Sequence, residues 1–125
     1  MRVLIDTHIF LWWMKGDKNL RRKTIDRINN AERAFVSSIS LFEIHTKKSI
    51  GKLDTPDTNL YLGNKGFAVL PFTHDHSESA RMLTLHHRDP FDRMLIAQAK
   101  HEKLAFVTHD EDIWKYHKDI AILKA

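Results

Sequence analysis

Short uninterrupted apolar runs alternate along this chain with longer segments in which apolar residues recur every three or four positions. Val3-Leu4-Ile5, closed by the polar Asp6, reads as a buried strand over residues 2–6. His8 to Met14 is apolar and aromatic and predicts one or two helical turns on the same core, ended by Gly16-Asp17. NLRRKTIDRINN sets Leu20, Ile25 and Ile28 among charges, the pattern of an exposed amphipathic helix. Phe35-Val36-Ser37 gives a second strand. Ser40-Leu41-Phe42-Glu43 then has the form of a capping box, and its helix runs to about Ile50, where Gly51 stops it.

The second half continues the alternation. Pro56 at a helix start opens a segment ending near Gly63-Asn64 or Gly66, Ala68-Val69-Leu70 is a strand ending at Pro71, and His76 to Leu85 is helical. Asp89-Pro90-Phe91-Asp92 is the sharpest helix start in the chain, with Asp as cap and Pro in the first helical position; the helix continues through Ala99 or beyond. Leu104 to Val107 is a further strand, Glu111 to His117 a short helix, and Ile120 to Leu123 a last strand. No repeat, low-complexity tract or linker divides the 125 residues, so one domain over 1–125 is expected. Apolar strands alternating with helices predict an α/β fold, a three-layer α/β/α sandwich whose central sheet is mainly parallel and covered on both faces. Ligands bind such sheets at the carboxyl ends of the strands.

That expectation draws attention to four acids at the edges of apolar segments: Asp6, Glu43, Asp92 and Asp110. Each has a structural explanation beside the functional one. Asp6 would cap the helix starting near His8, Glu43 would be the reciprocal partner of Ser40, and Asp89 with Asp92 would cap and charge a helix start. Asp110 follows a strand end, with Glu111 and Asp112 facing solvent behind it. Carboxylates crowded together raise one another's pKa unless a cation compensates, so gathering three or four of them points to an ion rather than to stability. An oxygen-only donor set selects Mg²⁺ or Mn²⁺ over zinc.

Charge and composition narrow the partner. A net charge of +4 and a pI near 9.4 favour an acidic ligand such as nucleic acid. Candidate phosphate contacts are Arg21, Arg22 and Lys23, then Lys47, Lys48 and Lys52, with Arg93 beside the acids; for each alone a solvated helix face is the plainer explanation. With no cysteine, disulfides and thiolate chemistry are excluded, and the four glycines form no phosphate-binding loop. His74-Asp75-His76 and His86-His87 with Asp89 offer an alternative metal cluster, but without the helical His pair of zinc enzymes. Trp12-Trp13 could stack bases, although their apolar setting favours core or subunit contact. Asp6 and His8 interrupt the signal-like N-terminus, and no segment approaches about 18 uninterrupted apolar residues, so a cytoplasmic protein with no membrane association is expected.

VLIDTHIFLWW, VSSISLFEIHTKKSIGKL, GFAVLPFT and HHRDPFDRMLIAQAKHEKLAFVTHD, in that order from Arg2 to about Asp112, resemble a PIN-domain protein of the VapC toxin type. The resemblance implies a PIN-like fold and a Mg²⁺- or Mn²⁺-dependent endoribonuclease whose metal ligands fall on Asp6, Glu43, Asp92 and Asp110, with Asp89 a lesser candidate for capping and positioning. It implies hydrolysis to a 5′-phosphate and a 3′-hydroxyl, with no covalent nucleophile. Thr7 and Thr108 would orient carboxylates or water. The implied partners are an RNA substrate such as tRNA, a cognate antitoxin, and a second copy in a homodimer with Phe10 and Trp13 among the contacts. The alternatives are a non-catalytic RNA- or protein-binding module of the same fold and a structure-selective DNA nuclease.

Overall fold

The apolar runs become the strands of one sheet in the computed structural model, which describes residues 1–83 and 89–125. The strands are β1 (Arg2–Ile5), β2 (Arg33–Ser37), β3 (Ala68–Leu70), β4 (Ala105–Thr108) and β5 (Ile122–Lys124), all parallel, in the order β3-β2-β1-β4-β5. Leu4 sits beside Phe35 on one side and Phe106 on the other, which fixes β1 at the centre of the sheet. Parallel strands need crossovers, supplied by helices α1 (Thr7–Lys15), α2 (Arg22–Asn29), α3 (Ser38–Ser49), α4 (His74–Arg81), α5 (Pro90–Glu102) and α6 (Glu111–Trp114).

Successive strand residues point to opposite faces, so the run Val3-Leu4-Ile5 serves two cores. Val3 and Ile5 join Ile9, Phe10, Met14 and Ile28 from α1 and α2, with Val36, Ile44 and Val107. Leu4 and Phe106 point the other way, into Leu95, Ile96 and Ala99 of α5 and Ile113 and Tyr116 beyond it. This is the three-layer arrangement with a parallel sheet that the alternation predicts. Phe10 is fully buried and meets Phe67 edge-on inside the chain, so it is core and not a dimer contact.

Three local expectations are corrected. The N-cap of α3 is Ser37, whose hydroxyl accepts from the Ile39 N–H, and not Ser40. The helix therefore begins directly at the end of β2, and the Ser40–Glu43 spacing is not a capping box. Residues 56–66 contain only a 3₁₀ turn, Thr58–Tyr61, because Asp57 draws the Asn59 N–H into a side-chain turn and the chain then doubles back. The Phe67 N–H bonds the Tyr61 carbonyl and the Gly63 N–H bonds the Phe67 carbonyl, with Gly63 at φ 113°. Helix α4 starts at His74, two residues earlier than its apolar pattern suggests, since Thr73 and His76 form a true capping box. His86 and His87 lie outside the described residues, as does Leu85.

His74-Asp75-His76 is explained by packing. His76 is buried: its Nδ1 accepts from the Thr73 N–H at 3.0 Å, which leaves Nε2 as the donor to Glu102 Oε2 at 2.8 Å. That pair ties α4 to the last turn of α5.

Candidate functional site

The sheet order reverses direction at β1, since the chain leaves β1 toward β2 and β3 and returns to its other side at β4. The carboxyl ends of β1 and β4 therefore flank a topological switch point, where open α/β sheets present their binding crevice. Asp6 ends β1 at that point and Thr108 ends β4. Helix α3 starts from the same edge after β2, and α5, which precedes β4 and runs back toward its start, has its first turn there too.

Asp6 is the centre of the arrangement. It is 3% exposed and caps α1, with Oδ1 accepting from the Thr7 N–H at 2.7 Å and Oδ2 accepting from the Thr108 hydroxyl at 2.7 Å. Burial pushes its carboxyl above the ordinary carboxylate range, opposed by the Thr108 hydroxyl, the field of His8, the Thr7 N–H and the field of His109. The Thr108 hydroxyl, donating to Asp6, also accepts from the Asp110 N–H at 3.1 Å. One hydroxyl thus couples two of the acids across two strands. Thr7 acts through its backbone; its own hydroxyl shares a 2.7 Å hydrogen bond with Ser40, joining α1 to the first turn of α3.

Glu43 lies three residues beyond Ser40 and so on the same side of α3. Its side chain is 23% exposed and its Oε2 is 3.3 Å from Lys47 Nζ one turn on, a pair of small energetic worth in water. Asp110 caps α6 through Oδ1, which accepts from the Asp112 N–H at 2.9 Å. Asp89 is exposed and caps α5, Oδ1 accepting from the N–H groups of Phe91 and Asp92, which accounts for its place without a metal. Asp92 is half-buried in the first turn of that helix. The fold brings all these acids to one edge of the sheet. Among the described residues, however, no three acids or histidines stand close enough to ligate one ion directly.

The donor chemistry fits a hard cation at Asp6. Its carboxylate is desolvated and receives two protein hydrogen bonds, where an ionised carboxylate has about four acceptor positions.

The basic candidates divide. Arg93 donates to the Ala80 carbonyl at 3.0 Å and the Tyr116 hydroxyl at 3.3 Å, so its guanidinium joins α5 to the end of α4 and to the α6 side of the core. Lys48 donates to the carbonyls of Thr55 and Pro56 and pins the loop after α3. Arg21 and Lys23 are exposed at the start of α2, and Arg22 pairs with Asp26. The packing of three rings against one another is a finding of the tertiary structure. His8 meets His109 edge-on at 5.8 Å, and Trp12 stacks on His109 at 4.4 Å between centroids. Their signal was the near-mirrored DTH and THD at two strand ends.

Comparison with solved structures returns the same fold. VapBC-1 from nontypeable Haemophilus influenzae aligns at TM-score 0.74 and 17% identity, over 99% of this chain and 98% of that one. DNA-bound VapBC from Salmonella typhimurium aligns at 0.72 and 20%, over 99% and 98%. FitAcB from Neisseria gonorrhoeae aligns at 0.65 and 16%, over 99% and 97%. No curated protein sequence matches. The PIN domain family model matches residues 3–119, nearly the whole length. This chain belongs to the PIN domain family.

Proposed function

We propose that this protein is a divalent-metal-dependent endoribonuclease, the toxin of a toxin–antitoxin pair, with Asp6, Glu43, Asp92 and Asp110 around the ion and Asp89 positioning α5. The observation that carries the reading is Asp6: a desolvated carboxylate at the switch point, coupled through one threonine to Asp110. Folding an acid into that place costs stability, and an arriving cation offsets the cost. The solved relatives include a toxin–antitoxin complex from Klebsiella pneumoniae and VapBC assemblies, which supports an antitoxin as partner.

Mg²⁺ or Mn²⁺ bound here would supply an activated water and neutralise charge developing on the phosphodiester. Since Mg²⁺ keeps several of its waters, acids at the sheet edge can hold it through those waters without all touching it. The chain's own part is orientation. Thr7 N–H and Thr108 fix the two oxygens of Asp6, so the carboxylate does not turn as charge moves beside it. The Thr108 bond to the Asp110 N–H holds the β4–α6 turn in register with that carboxylate. The Thr7–Ser40 bond does the same for α3 and hence for Glu43. Lys47, 3.3 Å from Glu43, would be free to turn to a phosphate if Glu43 held an ion.

That no three acids or histidines converge among the described residues favours one rival, a non-catalytic binding module of the same fold. Purified protein separates the two. Cleavage of RNA that needs Mn²⁺ or Mg²⁺, stops with chelator and disappears in Asp6→Asn supports the nuclease; no cleavage with either ion refutes it. RNA and DNA offered in competition decide between ribonuclease and DNA nuclease.

A further inference from the structure

The carboxyl edge of the sheet carries a set of rings that the metal-centre reading leaves unused. His8, in the first turn of α1, is exposed, and Trp12 follows four residues later on the same side of that helix, half-buried against the core. His109 reaches them from the turn between β4 and α6. Its ring lies on Trp12 at 4.4 Å with a tilt of 38°, and His8 meets it edge-on at 5.8 Å and 81°. The Nδ1 of His109 is buried with no hydrogen-bond partner, so stacking and not hydrogen bonding holds that imidazole in place.

Core packing explains Trp12 but not His8. An exposed imidazole gains little from joining such a stack unless something else covers it. Its position decides what that is: His8 lies in the first turn of the helix that Asp6 caps and His109 follows Thr108, whose hydroxyl bonds Asp6, whereas Lys47 is engaged with Glu43 and Arg93 with carbonyls of the α4 end. The rings thus form one cluster beside the place where a nucleotide chain would present a phosphate to Asp6.

We propose that His8, braced by His109 and Trp12, is the stacking surface for a nucleobase adjoining the phosphodiester presented to Asp6. This rests on reading the sheet edge as an RNA-cleavage site. A base can leave its own stack for an imidazole only where it is unpaired, so the surface selects single-stranded or looped RNA over duplex. Stacking needs only the π face, which makes the contact tolerant of base identity and independent of imidazole protonation.

The test uses the full chain with chelator present, titrated with a short single-stranded oligoribonucleotide. His8→Ala is expected to weaken binding about 5- to 10-fold and His8→Phe to keep it within about 2-fold of the parent chain. An abasic nucleotide scanned along the strand should at one position weaken the parent by a similar factor while leaving His8→Ala unaffected. With metal restored, His8→Ala should raise KM by that factor at unchanged kcat. Parent-like binding by His8→Ala overturns the proposal. Equal weakness of His8→Ala and His8→Phe also overturns it, because the contact would then be polar. Cleavage by the parent chain is scored separately: RNA cleavage without the ring pattern removes the stacking surface and leaves the nuclease, and the ring pattern without cleavage does the reverse.

Discussion

Replacing Asp6 by Asn should stabilise the metal-free protein while abolishing activity. Asn caps a helix as well as Asp and keeps a carbonyl oxygen for the Thr7 N–H, and its amide can donate to the Thr108 hydroxyl in place of the bond now running the other way. What disappears is a buried negative charge with part of its acceptor capacity unfilled. Leaving such capacity unsatisfied costs about 1–3 kcal/mol, and losing the attraction of the charge to the α1 N-terminus gives back about 0.3–1 kcal/mol. A net gain of about 0–2.7 kcal/mol results. At about 2.1 cal/mol/K per residue of unfolding entropy, a chain of this size should rise by up to about 10 °C in Tm. The pH dependence follows from the raised carboxyl. Between its ordinary value, 3.8, and its higher folded value the native state holds the extra proton, so parent stability from this group falls as pH rises through that window and is constant above it. The advantage of Asp6→Asn in the presence of chelator should therefore be full at pH above the folded value and shrink as the pH is lowered through that window. Thermal or urea unfolding followed by circular dichroism measures both. An Asn variant less stable than the parent at pH 7, or a difference that does not narrow in acid, would refute the account of Asp6 as a strained, cation-seeking group. Added Mn²⁺ should raise the Tm of the parent and not of the variant.

Thr108→Val removes the donor to Asp6 and the acceptor of the Asp110 N–H together; a loss of about 1.5–3 kcal/mol and at least a tenfold fall in cleavage are expected, with Thr108→Ser restoring both. Arg93→Met should lower the urea midpoint, since the guanidinium bridges α5 to Ala80 and Tyr116, yet leave the salt dependence of RNA binding unchanged. A slope reduced by about one would instead make Arg93 a phosphate contact. Gly66→Ala should cost about 1–3 kcal/mol by urea denaturation, because a Cβ there collides with the Tyr61 carbonyl. A neutral result would show that the 61–67 loop yields.

Much of the fold is written in local patterns. Val3-Leu4-Ile5 and Ala105-Phe106-Val107 are apolar at consecutive positions because both faces of a central parallel strand are covered, and that alone announces helices on two sides. Asp89-Pro90 marks the start of α5 to the residue, since cap and proline act within one turn. Residues 56–66 are not set by apolar periodicity, because their turn depends on Asp57, on Gly63 at positive φ and on Gly66 passing close to the Tyr61 carbonyl, which are backbone contacts that leave no apolar pattern.

For the site, the sequence by itself set Asp6 and Asp110 just past strand ends and Asp92 in the first turn of a helix, because strand ends and helix starts are decided locally. It did not determine what each of them touches. Ser40 has the spacing of a cap but bonds Thr7 on another helix, and Arg93 has the charge for phosphate but is drawn into backbone carbonyls. Thr108 reaches Asp6 across 102 positions of chain and joins it to Asp110, and His109 meets His8 and Trp12 only when β1 and β4 lie side by side. Such pairings depend on distances between elements, and those are fixed by how the two cores pack against the sheet, not by any pattern along the chain.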